Sequence, residues 1–201
     1  LSLDPYMRGR MNAGKSYVKP VEVGAVMEGG TVGEVVRSRS DRFQPGDVVL
    51  GRAGWQTHAV EPASALRRID PALAPVQTAL GVLGMPGMTA YVGLRNIGKP
   101  KPGETLAVAA ASGPVGATVG QIARIGGARA VGIAGGPDKC RYLLDELGVD
   151  AAVDHRAPDF PDQLKAACPG GIDVYFENVN GPVWDAVFPL LNDFARIPVC
   201  G

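Results

Sequence analysis

The 201-residue chain predicts an α/β fold, a doubly wound parallel sheet preceded by a partial β-barrel domain. Residues 1 to about 70 are dense in Gly and β-branched residues, with short apolar runs broken by Pro and Gly. From about residue 104 the rhythm changes to strand, helix, strand, helix. The first strand of that alternation enters a glycine turn and then a helix start, Glu104-Thr105-Leu106-Ala107-Val108-Ala109-Ala110-Ala111-Ser112-Gly113-Pro114-Val115-Gly116.

In chain order, Thr31 to Val36 and Asp47 to Leu50 read as short strands separated by Gln44-Pro45-Gly46. Residues 71 to 103, rich in Pro, Gly and Leu, read as a connection with helical stretches at Gln77 to Val82 and Thr89 to Ile97. The strands expected beyond it are Thr105 to Ala110, Ala130 to Ala134, Ala151 to Asp154, Asp173 to Glu177 and Arg196 to Cys200. Helices are expected between them at Val115 to Ile125, Asp138 to Leu147, Asp159 to Ala167 and Pro182 to Leu191. Parallel strands need crossovers, so this alternation implies a sheet covered on both faces, a Rossmann-like arrangement. The boundary is placed so that residues 1–75 form the first domain and 76–201 the second. The chain opens at Leu1 without a Met and stops just after a strand-like run, so it reads as a fragment.

The loop Ala110-x-x-Gly113-x-x-Gly116 is one glycine short of the full dinucleotide fingerprint. Gly113 allows a tight turn and close approach of a ligand, and Gly116 lets the new helix pack against the strand. The free amides of the helix start, from Pro114 and Val115 onward, would then face a pyrophosphate. A tight strand-to-helix turn that binds nothing gives the same string. Its place after a strand, before a helix and one βαβ unit ahead of the next strand favours the nucleotide.

The second strand end separates the two nicotinamide cofactors. NAD sites usually carry Asp or Glu there to accept a bond from the ribose hydroxyl. Here the segment is Ala134-Gly135-Gly136-Pro137-Asp138-Lys139, small residues followed by a cation. Lys139 suits a 2′-phosphate, which favours NADP; a solvated lysine in a first helical turn is the plainer reading. Asp138, after Pro137, suits the helix start better than the ribose.

Composition excludes several classes. With 46% hydrophobic residues, 20% charged and a formal net charge of zero, the chain has no footprint for nucleic acid or an anionic membrane. No run approaches the roughly 18 apolar residues of a membrane span. Cys140, Cys168 and Cys200 lie 28 and 32 residues apart, forming neither a disulfide framework nor a metal cluster, and read as buried thiols of a cytoplasmic protein. There is no His-Glu-x-x-His, Cys-x-x-Cys, Walker loop or Gly-x-Ser-x-Gly elbow. His58 and His155 are too few for a histidine-rich metal site, and His58 reads as a half-exposed barrel residue.

Four separated strings add a resemblance: Leu1-Ser2-Leu3-Asp4-Pro5-Tyr6-Met7-Arg8-Gly9-Arg10-Met11, Gly84-Met85-Pro86-Gly87-Met88-Thr89-Ala90-Tyr91, Val119-Gly120-Gln121-Ile122-Ala123 and Asp173-Val174-Tyr175-Phe176-Glu177-Asn178-Val179. In these the chain resembles the zinc-independent medium-chain dehydrogenases/reductases, in the leukotriene B4 dehydrogenase (prostaglandin reductase), curcumin reductase and alkenal/one reductase group. The resemblance implies a partial GroES-like catalytic domain before the Rossmann domain, with the active site in the cleft between them. It also implies NADPH, a small enone or alkenal substrate and a homodimer of the full-length protein. Zinc-dependent relatives carry Gly-His-Glu early in the barrel. The stretch here, Gly24-Ala25-Val26-Met27-Glu28-Gly29-Gly30, has no histidine, and no cysteine precedes Cys140, so a catalytic zinc has no ligands.

By position, the resemblance assigns Lys139 to the 2′-phosphate and Asn178 to the cofactor. His155 falls where relatives often have a tyrosine near that phosphate. Tyr6 resembles a tyrosine lining the substrate cleft; a buried aromatic with a satisfied hydroxyl is the alternative. Thr89 falls where its hydroxyl would touch the nicotinamide end, and Met85 there is packing. The activity implied is hydride transfer from NADPH to the β-carbon of an α,β-unsaturated ketone or aldehyde, with the developing enolate held by hydroxyl donors and the proton donor unassigned. A quinone reductase of the same superfamily and a non-catalytic NADP-binding module remain open beside it.

Overall fold

Punctuation by Pro and Gly keeps every strand of the first 84 residues short. The computed structural model describes residues 1–16 and 18–201, and the chain divides into two units, Leu1–Gly84 and Met85–Gly201. Among the described residues the first unit holds one α-helical turn, α1 (Met7–Arg10), two 3₁₀ turns, and three antiparallel strands in the order β1 (Thr31–Glu34), β2 (Val48–Gly51) and β3 (Arg67–Arg68). The expected barrel is represented by this three-stranded sheet among the described residues. Gly46, at φ +92°, makes the turn after Pro45. Asp47 then ties the turn to β3, accepting from the Gln44 amide at 2.8 Å and from Arg68 Nη2 at 2.7 Å. The chain start is fixed by Ser2, whose amide donates to the Gly30 carbonyl at 2.8 Å while its hydroxyl accepts from the Gly30 amide at 2.9 Å.

In the second unit the nearly unbroken apolar runs at 105–108, 129–134 and 172–176 become largely buried strands. Five strands, β4 (Thr105–Val108), β5 (Arg129–Ala134), β6 (Ala151–Asp154), β7 (Ile172–Phe176) and β8 (Leu191–Arg196), form one parallel sheet in the order β6-β5-β4-β7-β8. The helices of this unit are α2 (Met85–Val92), α3 (Pro114–Ile125), α4 (Pro137–Asp145), α5 (Phe160–Ala167) and α6 (Pro182–Val187). Side chains alternate across β4. Leu106 and Val108 join Val174, Phe176 and the α2–α3 residues Ala90, Val119 and Ala123. Ala107 and Ala109 join Val131, Tyr175, Leu164 of α5 and Val187 of α6.

Four expected elements are corrected. Gln77 to Val82 forms a 3₁₀ turn over Val76–Leu80. The helix expected at Thr89 to Ile97 starts earlier, at Met85, and opens into a wider π turn over Gly93–Gly98 that ends at Lys99, φ +43°. Glycine at both ends of that turn lets it lie on β7: a Cβ on Gly93 would stand 2.7 Å from the Phe176 ring, and one on Gly98 3.1 Å from Val174. The helix expected at Pro182 to Leu191 stops at Val187, followed by a 3₁₀ turn with Pro189, and the last strand begins at Leu191 rather than Arg196. Pro198 has no amide to donate, and the run 197–200 meets the chain after β7 at Glu177, whose amide donates to the Pro198 carbonyl and whose carbonyl accepts from the Cys200 amide, both at 2.9 Å.

No helix among the described residues is long and apolar enough to cross a membrane. Cys168 is buried, and burial pushes its thiol up to about 11; Cys140 is half-buried, while Cys200 is exposed, against the expectation of three buried thiols.

The edge strand β8 is anchored by one arginine. Arg196 donates to the Gly98 and Lys99 carbonyls at 3.0 Å each and pairs with the Glu104 carboxylate just before β4. The Arg196 guanidinium outweighs partial burial and holds the Glu104 carboxyl below its ordinary value of 4.5. A lowered carboxylate pKa stabilises the fold above the unfolded value, and that contribution is lost as pH falls through the folded value. Arg196→Ala is therefore expected to destabilise the protein by roughly 1–3 kcal/mol at pH 7, and by clearly less at pH 3, in urea melts compared at the two pH values.

Candidate functional site

Strand order reverses at β4, which has β5 on one side and β7 on the other. The chain leaves β4 and β7 toward opposite sides, and a crevice opens at their C-terminal ends. A cavity of about 770 Å³ lies there. The loop after β4 lines it with Ala110, Ser112 and Gly113, and the end of β5 with Ala134 and Gly135. Lys139 and Tyr142 reach it from α4, His155 and Arg156 from the end of β6, and Val179 and Asn180 from the end of β7.

The glycine turn is built by close backbone packing. Ala110 sits at φ +48°, a left-handed conformation costing about 1–2 kcal/mol for a residue with a Cβ. Its carbonyl accepts from the Gly113 amide at 2.9 Å. A Cβ on Gly116 would stand 2.5 Å from the Ala110 oxygen and 2.7 Å from the Ala111 Cα, so only glycine lets α3 start so near the strand. Gly113 is the N-cap and has no side chain to occupy the first free amides of this 12-residue helix, and Pro114 takes the position that needs no N–H. Asn178 holds the turn from β7, its Nδ2 donating to the Ala109 carbonyl at 2.9 Å.

Beyond β5, Gly136 caps α4 at φ +100° and Pro137 follows it. Asp154, at the end of β6, joins the two loops: its Oδ1 accepts from the Gly136 amide at 2.8 Å and from the Arg156 amide at 2.9 Å. These two bonds hold its carboxyl below the ordinary carboxylate range. Asp138 is occupied by an ion pair with Arg141 one turn along α4, in keeping with a role at the helix start. The Cys140 thiol beside Lys139 is pushed up by burial and then by the Asp154 charge, so it is no thiolate nucleophile.

At the end of β7, Glu177 is 2% exposed, and its Oε1 accepts from the amides of Val179 and Asn180. Asn180 stands at φ +56° and its Oδ1 accepts from the Gly181 amide at 2.8 Å. Burial first, and then Glu177, push the Tyr175 hydroxyl well above its usual range.

Of the residues expected at the cofactor, the cavity brings together Ala110, Gly113, Gly135, Lys139 and His155. Pro114, Val115 and Gly116 stand behind the loop, and Asn178 bonds the loop rather than lining the cavity. The Thr89 hydroxyl is exposed and donates to the Met85 carbonyl at 2.9 Å. Tyr6 belongs to the first unit, 36% exposed, with the Arg10 guanidinium 5.6 Å over its ring. His58 is exposed rather than half-exposed. No motif marks Tyr142, Arg156 or Asn180, and Ser112 and Val179 lie within the glycine-turn and Asp173-to-Val179 strings without a role of their own there; the signal available for Arg156 was its place directly after a strand expected beside the one that leads to Lys139. Among the described residues no three His, Cys, Asp or Glu side chains gather as metal ligands.

Residues 1–69 match the N-terminal domain of oxidoreductase, and residues 114–201 match the zinc-binding dehydrogenase family. The chain is similar to the NADPH-dependent curcumin reductase of Escherichia coli (strain K12), 58% identical over all 201 residues and 58% of that protein's length. It is 43% identical to the NADP(+)-dependent 2-alkenal reductase of Nicotiana tabacum, covering all of this chain and 60% of the relative. Among solved structures it resembles CurA from Vibrio vulnificus in complex with NADPH, at 53% identity and a TM-score of 0.94, over all of this chain and 59% of that one. The chain thus spans less than two thirds of the length of these relatives.

Gly116→Ala is expected to cost about 1–3 kcal/mol, because backbone atoms rather than a flexible side chain oppose the new Cβ. Gly170→Ala, where a Cβ meets nothing within 4 Å, serves as the control and should shift the same denaturant midpoint little.

Proposed function

As the chain belongs to the medium-chain dehydrogenase/reductase family, in the group of curcumin, alkenal and prostaglandin reductases, we propose that the whole protein is an NADPH-dependent reductase of the carbon–carbon double bond in α,β-unsaturated ketones and aldehydes. One observation supports the cofactor above all: Lys139 lines the crevice beyond the end of β5, and Asp138, the carboxylate beside it in the lining, is paired with Arg141. The curcumin and 2-alkenal reductases among the relatives support the substrate class. When bound, the dinucleotide supplies a hydride for the β-carbon of the conjugated carbonyl.

The chain's own part is to bind and orient. The amides at the start of α3, uncapped by any side chain, suit the pyrophosphate, and the absent side chains at Gly113 and Gly116 let the backbone come close. Lys139 offers a charge to a ribose phosphate. Exposed His155 adds a ring nitrogen able to bond the same group. Thr89 is proposed as a contact at the nicotinamide end, Asn178 as a contact of the cofactor, and Tyr6 as a residue that touches the substrate.

The full-length protein should oxidise NADPH in the presence of a small enone such as 3-nonen-2-one. Turnover of quinones far above enones would replace this reading with a quinone reductase, and NADPH binding with no turnover across both panels would leave a binding module. Lys139→Ala should weaken NADPH by about 10- to 100-fold and leave NADH nearly unchanged, since one charge-assisted contact is worth roughly 1.5–3 kcal/mol. Fluorescence titration with both cofactors measures this, and equal losses would refute the phosphate role of Lys139.

A further inference from the structure

Lys139 is not the only cation turned to this end of the crevice. Arg156 lines the same cavity from the end of β6. Its guanidinium lies across the turn after β5: a Cβ on Gly135 would stand 2.9 Å from Nε and 3.3 Å from Cζ, and one on Gly136 4.0 Å from Nη1. The paired glycines therefore form a floor on which the guanidinium rests, and any side chain at Gly135 would displace it. The His155 ring meets the same point, with Nε2 2.8 Å from the Gly135 Cβ position.

The carboxylates around Arg156, of which Asp138 also lines the cavity, are already engaged. Asp138 is paired with Arg141, and the Asp154 carboxylate engages the Arg156 backbone amide together with that of Gly136. Among the described residues neither the Arg156 guanidinium nor the Lys139 ammonium has a carboxylate within ion-pair distance. Two cations from different elements thus converge on one cavity with their charges uncommitted. Parallel pairing explains the meeting. Ala134 stands opposite Asp154, so the residues that leave each strand emerge side by side.

We infer that Arg156 is a specificity-determining residue, forming with Lys139 a two-cation receptor for a phosphomonoester on the ribose, and that Asp154 is the positioning residue that sets it there. This rests on the NADP reading above and deepens it. A planar guanidinium offers two parallel N–H donors to two phosphate oxygens, while Lys139 adds a point charge. Asp154 bonds the two loops through one carboxylate oxygen, so Arg156 and Lys139 are held in register before any ligand arrives.

The test is calorimetric titration of the full-length protein with adenosine 2′,5′-bisphosphate and with adenosine 5′-monophosphate, which differ only in the ribose phosphate. Wild type should prefer the bisphosphate. Arg156→Ala should weaken the bisphosphate about tenfold and the monophosphate less than twofold, and Arg156→Lys should restore part of the loss, because charge returns without the fork. Asp154→Ala should lose the same preference while thermal melting confirms a folded protein. Equal losses for both nucleotides in Arg156→Ala would mean that the guanidinium stacks on the base or supports the loop, and would overturn the assignment. Retention of the full wild-type preference would overturn it as well. Should wild type itself fail to prefer the bisphosphate, the NADP reading falls and takes this inference with it, whereas preference in both wild type and Arg156→Ala removes the inference alone. Asp154→Ala that melts lower yet keeps the preference would make Asp154 a structural residue only.

Discussion

Burial of β4 on both faces is the constraint from which the rest of the second unit follows. With Leu106 and Val108 packed to one side and Ala107 and Ala109 to the other, the strand has no polar face to turn outward. Its backbone groups find partners in β5 and β7, and helices cover both surfaces. Small residues on one face allow α5 and α6 to approach closely. The strand at the centre of the sheet is also the strand where its order reverses, so the crevice opens beside the best-buried backbone of the unit.

Loops at a crevice have few apolar contacts to fix them, and here polar side chains do that work. Asn178 bonds the turn after β4, Asp154 joins the turns after β5 and β6, and Glu177 holds the turn after β7. Each of these three stands at or just past the C-terminal end of a strand, where the sheet is rigid. The arrangement orders the backbone amides before binding, which lowers the entropy a ligand must overcome. It also explains the division between residues that line the cavity and residues that shape it. Gly116 and Asn178 belong to the second kind.

Much of this was legible in the sequence. The alternation of apolar runs with helical segments located the first four strands of the parallel sheet to within a few residues, because buried parallel strands and their crossovers leave a strong compositional rhythm. The glycine turn was legible because Gly113 and Gly116 answer to local geometry. The last strand was misplaced because a helix-like composition runs through Phe188-Pro189-Leu190, and Pro189 and Pro198 change the backbone without changing the hydrophobic pattern. The π turn was invisible for a similar reason: its glycines at 93 and 98 answer to the surface of β7, distant in sequence.

By itself the sequence determined the strand-helix rhythm, the glycine turn and the replacement of an acid by Lys139, since each depends on residues within a few positions of one another. Only the tertiary structure decided which side chains share a cavity. Parallel pairing of β5 with β6 sets His155 and Arg156 against Gly135, and the end of β7 brings Val179 and Asn180 to the same space. It also set Asn178 to bracing a loop, and gave the Thr89 hydroxyl to its own helix. Such outcomes depend on strand order and register, which are fixed by the packing of the whole sheet and have no signature in any short stretch of chain.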